Sequence, residues 1–179
     1  MTTPAETPPR LEPDSVISLV GARGCGKSTI GRRLAERLDR RFADADAEIA
    51  RVAGKSIPEI FALHGEPAFR LLEAEVISAL LDRTSIVLAT GGGAVLQKET
   101  RERLAAAGPV VLLEADAATL HARTAGDPNR PPLTELPAEE EMAAVLAARE
   151  PLYREVATVT VDATAEPEVV VESILAALS

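Results

Sequence analysis

The sequence predicts an α/β fold: three layers, α/β/α, with a five-stranded parallel sheet in the middle. Three observations carry it. Short apolar runs alternate with helical patterns along the whole chain, and that alternation builds a parallel sheet between layers of helices. The runs at 85–89 and 110–113 are apolar at nearly every position, as strands covered on both faces require. A glycine-rich turn separates the first strand from the first helix, and ligands of open α/β sheets gather at the carboxyl ends of strands.

That turn lies in Gly21-Ala22-Arg23-Gly24-Cys25-Gly26-Lys27-Ser28-Thr29. Gly21, Gly26, Lys27 and Ser28 match the phosphate-loop spacing G-x-x-x-x-G-K-[ST]. Glycines such as Gly24 let successive backbone N–H groups turn inward around an anion. The following helix adds its N-terminal amides and positive dipole end. Lys27 supplies a mobile cation for β- and γ-phosphates, and the Ser28 hydroxyl suits Mg²⁺. A bound nucleoside triphosphate, ATP in the simplest case, and a P-loop NTPase fold are the first inferences.

The elements follow in order. Residues 1–14 are polar, carry Pro4, Pro8, Pro9 and Pro13, and read as a disordered extension before a single domain at 15–179. Residues 16–20 form a buried strand. Residues 27–38 form a helix with Ile30, Leu34 and Leu38 on one face. A short strand at about 41–45 leads into Asp44-Ala45-Asp46, and 47–53 is helical up to Gly54. Ser56, Pro58 and Glu59 mark a capped helix start. That helix is expected to stop at Gly65, with a longer one over 66–81. Strand 85–89 runs into Gly91-Gly92-Gly93. A helix at 98–107 stops at Gly108-Pro109. Strand 110–113 and helix 115–124 come next. Residues 126–137 hold four prolines without periodicity and suit a lid. Helix 139–149, strand 157–161 and helix 167–178 complete the chain.

Composition bounds the function. The 179 residues are 46% apolar and 2% aromatic, so the core must be aliphatic. A formal net charge of −9 argues against nucleic acid, whose phosphates call for surplus Lys and Arg. Cys25 is the only cysteine, so no internal disulfide forms and a reducing compartment is allowed. In the phosphate loop it reads as a small filler residue or an oxidation-sensitive one. No run reaches the ~18 apolar residues of a membrane span, and no basic-then-apolar leader opens the chain. A cytoplasmic monomer acting on a small molecule is expected.

Several side chains are candidates for the acceptor half of a phosphoryl-transfer site. Asp44 and Asp46 lie two apart; if the stretch is extended they project to one side. Such a pair can hold Mg²⁺ waters and take a proton from an attacking hydroxyl, though a solvated acidic turn fits the same residues. Arg70, with Glu73 one turn on, can grip a carboxylate bidentately or form a plain surface ion pair. Three glycines at 91–93 expose backbone that a ligand can touch. Arg123, Arg130 and Arg149 flank or occupy the expected lid. An Arg there can neutralise charge on a transferring phosphoryl group or merely solubilise the surface.

In this order, these pieces resemble the shikimate kinase family, nucleoside-monophosphate-kinase-like P-loop enzymes. The likeness runs from about Val16 to Ser179. It rests on the phosphate loop, Asp44-Ala-Asp46, Gly65-Glu66 with Phe69-Arg70 and Glu73, Gly91-Gly92-Gly93-Ala94-Val95, Asn129-Arg130-Pro131, and Arg149-Glu-Pro-Leu-Tyr153. The resemblance implies that Gly21, Gly24, Cys25, Gly26, Lys27, Ser28 and Thr29 hold the ATP phosphates and that Ser28 with Asp44 holds Mg²⁺. It makes Asp46 the base. It places shikimate against Phe69, Arg70, Glu73, Gly91, Gly92, Gly93 and Arg149. Arg130 would reach the phosphates from the lid, and Arg123 would lie against adenine. Two departures stand out: Pro132 within Arg130-Pro131-Pro132-Leu133, and no basic residue in Asp162-Ala-Thr-Ala-Glu166. A gluconate-type kinase, or a non-catalytic module binding ATP or a similar acid, fits the same arginines.

Overall fold

The computed structural model describes residues 11–125 and 136–179. Its five strands are all parallel: β1 (Ile17–Val20), β2 (Arg41–Asp44), β3 (Ile86–Ala89), β4 (Val110–Glu114) and β5 (Val159–Asp162), in the spatial order β2-β3-β1-β4-β5. The three middle strands are apolar and buried because helices cover both faces. The sheet edges, β2 and β5, are partly exposed.

Helix α1 (Lys27–Arg37) packs on α7 (Pro167–Ala177), with Arg33 paired to Glu168 and Arg37 to Glu172. Across the sheet, α4 (Lys98–Ala107) packs on α3 (Ile57–Leu81) and α6 (Ala138–Val156). α2 (Ala45–Ala53) packs on α3, and α5 (Ala117–Thr124) on α6. The core between these layers is aliphatic, centred on Ile17, Leu19, Leu34, Ile77, Leu88 and Leu113, with buried Phe69 and Tyr153 as aromatic exceptions.

Three differences from the sequence-based expectations have physical causes. The extended stretch ends at Asp44 and does not reach Asp46. Asp44 is the N-cap of α2, and its carboxylate accepts from the Asp46 and Ala47 amides. The expected break at Gly65 is present: α3 consists of two helical segments joined across that residue. Gly65, at φ 74° and ψ 172°, puts a sharp kink there, followed by Pro67. α6 runs past Arg149 to Val156 and carries Pro151 inside it. Burial of Tyr153 and Val156 against the core outweighs the amide hydrogen bond that the proline removes. A 3-10 turn, Ala94–Leu96, follows the glycine run.

The expected extension enters the described residues at Leu11, and its last residues are tied down. Arg40 donates to the Glu12 and Ser15 carbonyls at 2.8 and 2.6 Å, and the Ser85 amide to Asp14 at 3.0 Å. Of the expected lid, 126–137, only Leu136 and Pro137 fall within the described residues; Arg130 lies outside them.

Candidate active site

Strand order assembles the site. β1 lies beside β3, and β3 beside β2. The loops leaving these three strands therefore stand side by side at the carboxyl edge. They are the phosphate loop, the three glycines and the Asp44–Asp46 turn, and they border a cavity of about 580 Å³.

The donor wall is the phosphate loop. Gly24 and Gly26 sit at φ 85° and 96°, a region that favours glycine. Gly26 caps α1 without any side-chain acceptor, so the first-turn amides stay available to an anion. Lys27 is buried, and its ammonium donates to the Gly21 and Ala22 carbonyls at 2.9 Å each. Ser28 donates to Asp44 Oδ2 at 2.5 Å. Gly24, Gly26, Lys27, Ser28 and Thr29 line the cavity, whereas Gly21 and Cys25 do not. Cys25 is wholly buried, so it serves as a packed filler and its thiol is not exposed to oxidants.

The acceptor wall comes from α2, α3 and the glycine run. Arg70 donates to Glu73 Oε2 at 2.7 Å and to Glu66 Oε1 at 3.0 Å, and lies over the Phe69 ring. Glu73 is 3% exposed. Burial pushes its carboxyl above the ordinary range, Arg70 opposes that, and Asp46 adds to it. Burial acts to lower the Arg70 guanidinium, but Glu73 and Glu66 outweigh this and raise it. Arg70 is therefore a fixed cation. Glu73 Oε1 is buried and has no hydrogen-bond partner among the described residues. A Cβ at Gly91 would stand 2.5 Å from that oxygen and 3.0 Å from Asp46 Oδ1. Both carboxylates thus face one stretch of bare backbone in the cavity wall. Asp46 is in the first turn of α2, so the two aspartates share the site through a helix cap and not through strand alternation.

Gly93 takes the Arg70 guanidinium directly against its backbone; a Cβ there would lie 2.5 Å from Nη2. The run is held from outside as well. Gln97 Nε2 donates to the Arg70 carbonyl at 2.9 Å, and Arg101 Nη1 to the Val95 carbonyl at 2.8 Å. From α6, Arg149 Nη1 and the Tyr153 hydroxyl both donate to the Gly92 carbonyl, at 3.1 and 2.5 Å. Arg123 lines the cavity at its far side, where its guanidinium donates to the Ala163 carbonyl at 2.8 Å and to that of Thr164 at 3.3 Å. It thereby clasps the loop after β5.

Sequence reasoning gave no place in the site to Tyr153, to Thr90, which donates to the Leu19 carbonyl at 3.0 Å, or to Ser56, Ile57, Pro58 and Phe61 of the cavity wall, Ser56 and Pro58 having been read only as a helix start. The signal for Tyr153 was its i+4 spacing from Arg149, hidden by ending the helix before Pro151.

Comparison with known proteins gives the family. A family model described as shikimate kinase matches residues 23–179. A shikimate kinase of Nitrobacter winogradskyi is 52% identical over 139 residues, covering 78% of this chain and 65% of that protein. One of Pseudomonas syringae pv. tomato is 46% identical over 164 residues, covering 91% and 95%. The solved shikimate kinase of Acinetobacter baumannii in complex with shikimate is 43% identical, with a TM-score of 0.87 and 90% of each chain covered. A gluconokinase structure from Sinorhizobium meliloti, 21% identical with a TM-score of 0.60, shares the fold.

Proposed function

The chain belongs to the shikimate kinase family, and from that membership we propose that it transfers the γ-phosphoryl group of ATP to the 3-hydroxyl of shikimate, giving shikimate 3-phosphate and ADP. One observation carries the acceptor assignment. Across the cavity from Lys27 and Ser28, two arginines, a glycine backbone and the unpartnered Glu73 Oε1 converge. That set suits a small acid bearing hydroxyls: guanidinium groups for the carboxylate, a buried acceptor for a ring hydroxyl.

In this reading Lys27 and the loop amides bind the triphosphate, and Arg123 with the loop it clasps borders the base. Ser28 and Asp44 fit Mg²⁺: a hydroxyl and a carboxylate 2.5 Å apart beside the phosphate loop are the hard oxygen donors this cation takes, alongside waters and phosphate oxygens. Bound there, it would supply charge neutralisation on the phosphates. Arg70 and Arg149, with the amides of Gly92 and Gly93, hold the carboxylate, while Glu73 keeps Arg70 in place. This fixes the ring so that its hydroxyl faces the γ-phosphorus in line. Asp46 takes the hydroxyl proton as the new P–O bond forms and the bond to ADP breaks. The family resemblance assigns Arg130, which lies outside the described residues, to the phosphates. Positioning and charge compensation supply most of the rate. A single chain carries donor and acceptor halves, in keeping with a monomer, and the charge of −9 suits a small-molecule partner. No helix among the described residues is long and apolar enough to cross a membrane, which accords with action in the cytoplasm.

The test is ADP release by the purified chain with Mg-ATP and shikimate, quinate or gluconate. Shikimate-dependent release is expected. Release with gluconate and not shikimate overturns the reading.

A further inference from the structure

We infer that Tyr153 is a positioning residue for the acid substrate: its hydroxyl holds the Gly92 carbonyl and thereby aims the Gly93 amide at the carboxylate. The inference rests on the function proposed above and adds a residue to it.

The geometry turns on one peptide unit. The Gly92 carbonyl and the Gly93 N–H belong to the same planar trans group and point in opposite directions. Whatever grips the carbonyl also sets the direction of the amide. Two donors grip it, the Tyr153 hydroxyl at 2.5 Å and Arg149 Nη1 at 3.1 Å, both from α6. They lie four residues apart on one helix face.

The two donors are not equivalent. Arg149 lines the cavity and, in the proposed function, is drawn toward the substrate carboxylate. Tyr153 is 2% exposed and does not line that cavity. Burial, the largest influence, pushes its phenol up to about 12, so it remains a protonated donor throughout the working pH range. A carbonyl with two lone pairs can hold both donors at once. When Arg149 turns to the substrate, Tyr153 keeps the carbonyl satisfied and the peptide plane in place. Without the hydroxyl, binding the acid would require either leaving that carbonyl unpaired or keeping Arg149 from the carboxylate, and both weaken binding.

Gly92 also sits where the two halves of the site meet. A Cβ there would be 3.3 Å from the Arg23 amide and 3.7 Å from the Gly21 carbonyl. A rotation of this peptide would therefore press on the phosphate loop, which is a second reason for holding it from α6.

Tyr153→Phe removes the hydroxyl and keeps the ring. The parent and variant, ¹⁵N-labelled, are compared by KM for shikimate, KM for ATP, kcat, thermal melting and the Gly93 amide resonance with its hydrogen-exchange rate. The expected result is a rise in shikimate KM of about tenfold, the size of one lost hydrogen bond to a buried group. ATP KM and kcat should stay within about twofold, and Gly93 should shift and exchange faster. An unmoved Gly93 resonance overturns the inference whatever the kinetics. So does an unchanged shikimate KM, and so does a joint rise in both KM values with a lower melting temperature, which would mark a packing role. A parent protein that does not phosphorylate shikimate overturns the function instead, and the Gly93 resonance still decides whether the hydroxyl holds that peptide.

Discussion

Gly93→Ala probes the acceptor wall with a single methyl group. Gly93 has φ −104° and ψ 1°, which alanine adopts without strain, so the substitution leaves the backbone alone. The new Cβ would overlap the Arg70 guanidinium, 2.5 Å from Nη2. Ordinary contact begins near 3.5 Å and Nη1 is nearer to the new Cβ than Nη2, so the guanidinium must retreat by at least about 1 Å. Its bond to Glu73 Oε2 is 2.7 Å, and a retreat of that size lengthens it or swings it off line. A misplacement of about 1 Å in a substrate-positioning group can cost ~10²-fold. A weakened charged hydrogen bond costs about 1.5–3 kcal/mol, or roughly 10- to 150-fold. The two routes agree on a fall in kcat/KM for shikimate of ten- to a hundredfold, mostly in KM. ATP KM should not move, because Gly93 touches the acceptor wall alone. The assay is steady-state ADP release with each substrate varied in turn, alongside a melting curve. A shikimate KM within twofold of the parent would refute the close-approach argument, and an equal rise in ATP KM would refute the division into two walls.

Three other outcomes are expected. Asp46→Asn should lower kcat by about 10²–10⁴ through loss of the proton acceptor and leave the Kd for ATP, measured by equilibrium titration, unchanged; near-normal turnover would remove the base role. Glu73 is pushed up by burial from an ordinary value of 4.5, so its contribution to stability is complete below that pH and is lost as pH rises through the native value. Glu73→Gln does not titrate, and its melting temperature relative to the parent should therefore climb as pH rises above 4.5; a flat or falling difference contradicts the sign. Gly31→Ala, on the buried side of α1, would put a Cβ 2.6 Å from Phe42 Cε2 and 3.1 Å from Leu19 Cδ1. Overpacking of this kind costs about 1–3 kcal/mol, a fall in melting temperature of roughly 2–12 °C for a chain of this size, with kcat at low temperature retained.

The division of information between sequence and structure follows the range of the interactions. Local rules located nearly every element. Ser56 and Glu59 form the capping box that their spacing predicts, the glycine loop after β1 turns as the motif demands, and the apolar runs are the buried strands. These features depend on residues within about one helical turn of one another, so they are visible in the linear chain. Where tertiary packing overrides a local signal, the linear reading stopped early. Pro151 should end α6, and burial of Tyr153 and Val156 carries the helix past it.

The site divides the same way. Residue types marked its members because phosphate and carboxylate chemistry restricts the choice. The sheet order β2-β3-β1 set which members meet, and no local pattern encodes it. Only the folded chain shows that Asp44 caps a helix while accepting from Ser28, that Glu73 is buried with one oxygen unpartnered, and that Gly92 is gripped from a helix some sixty residues away in sequence, at a separation of 61. Each of these depends on burial and on contacts across large sequence distance. The sequence alone determined that this chain holds a phosphate donor and an acid acceptor; the packing of the sheet and α6 decided how the two are held against each other.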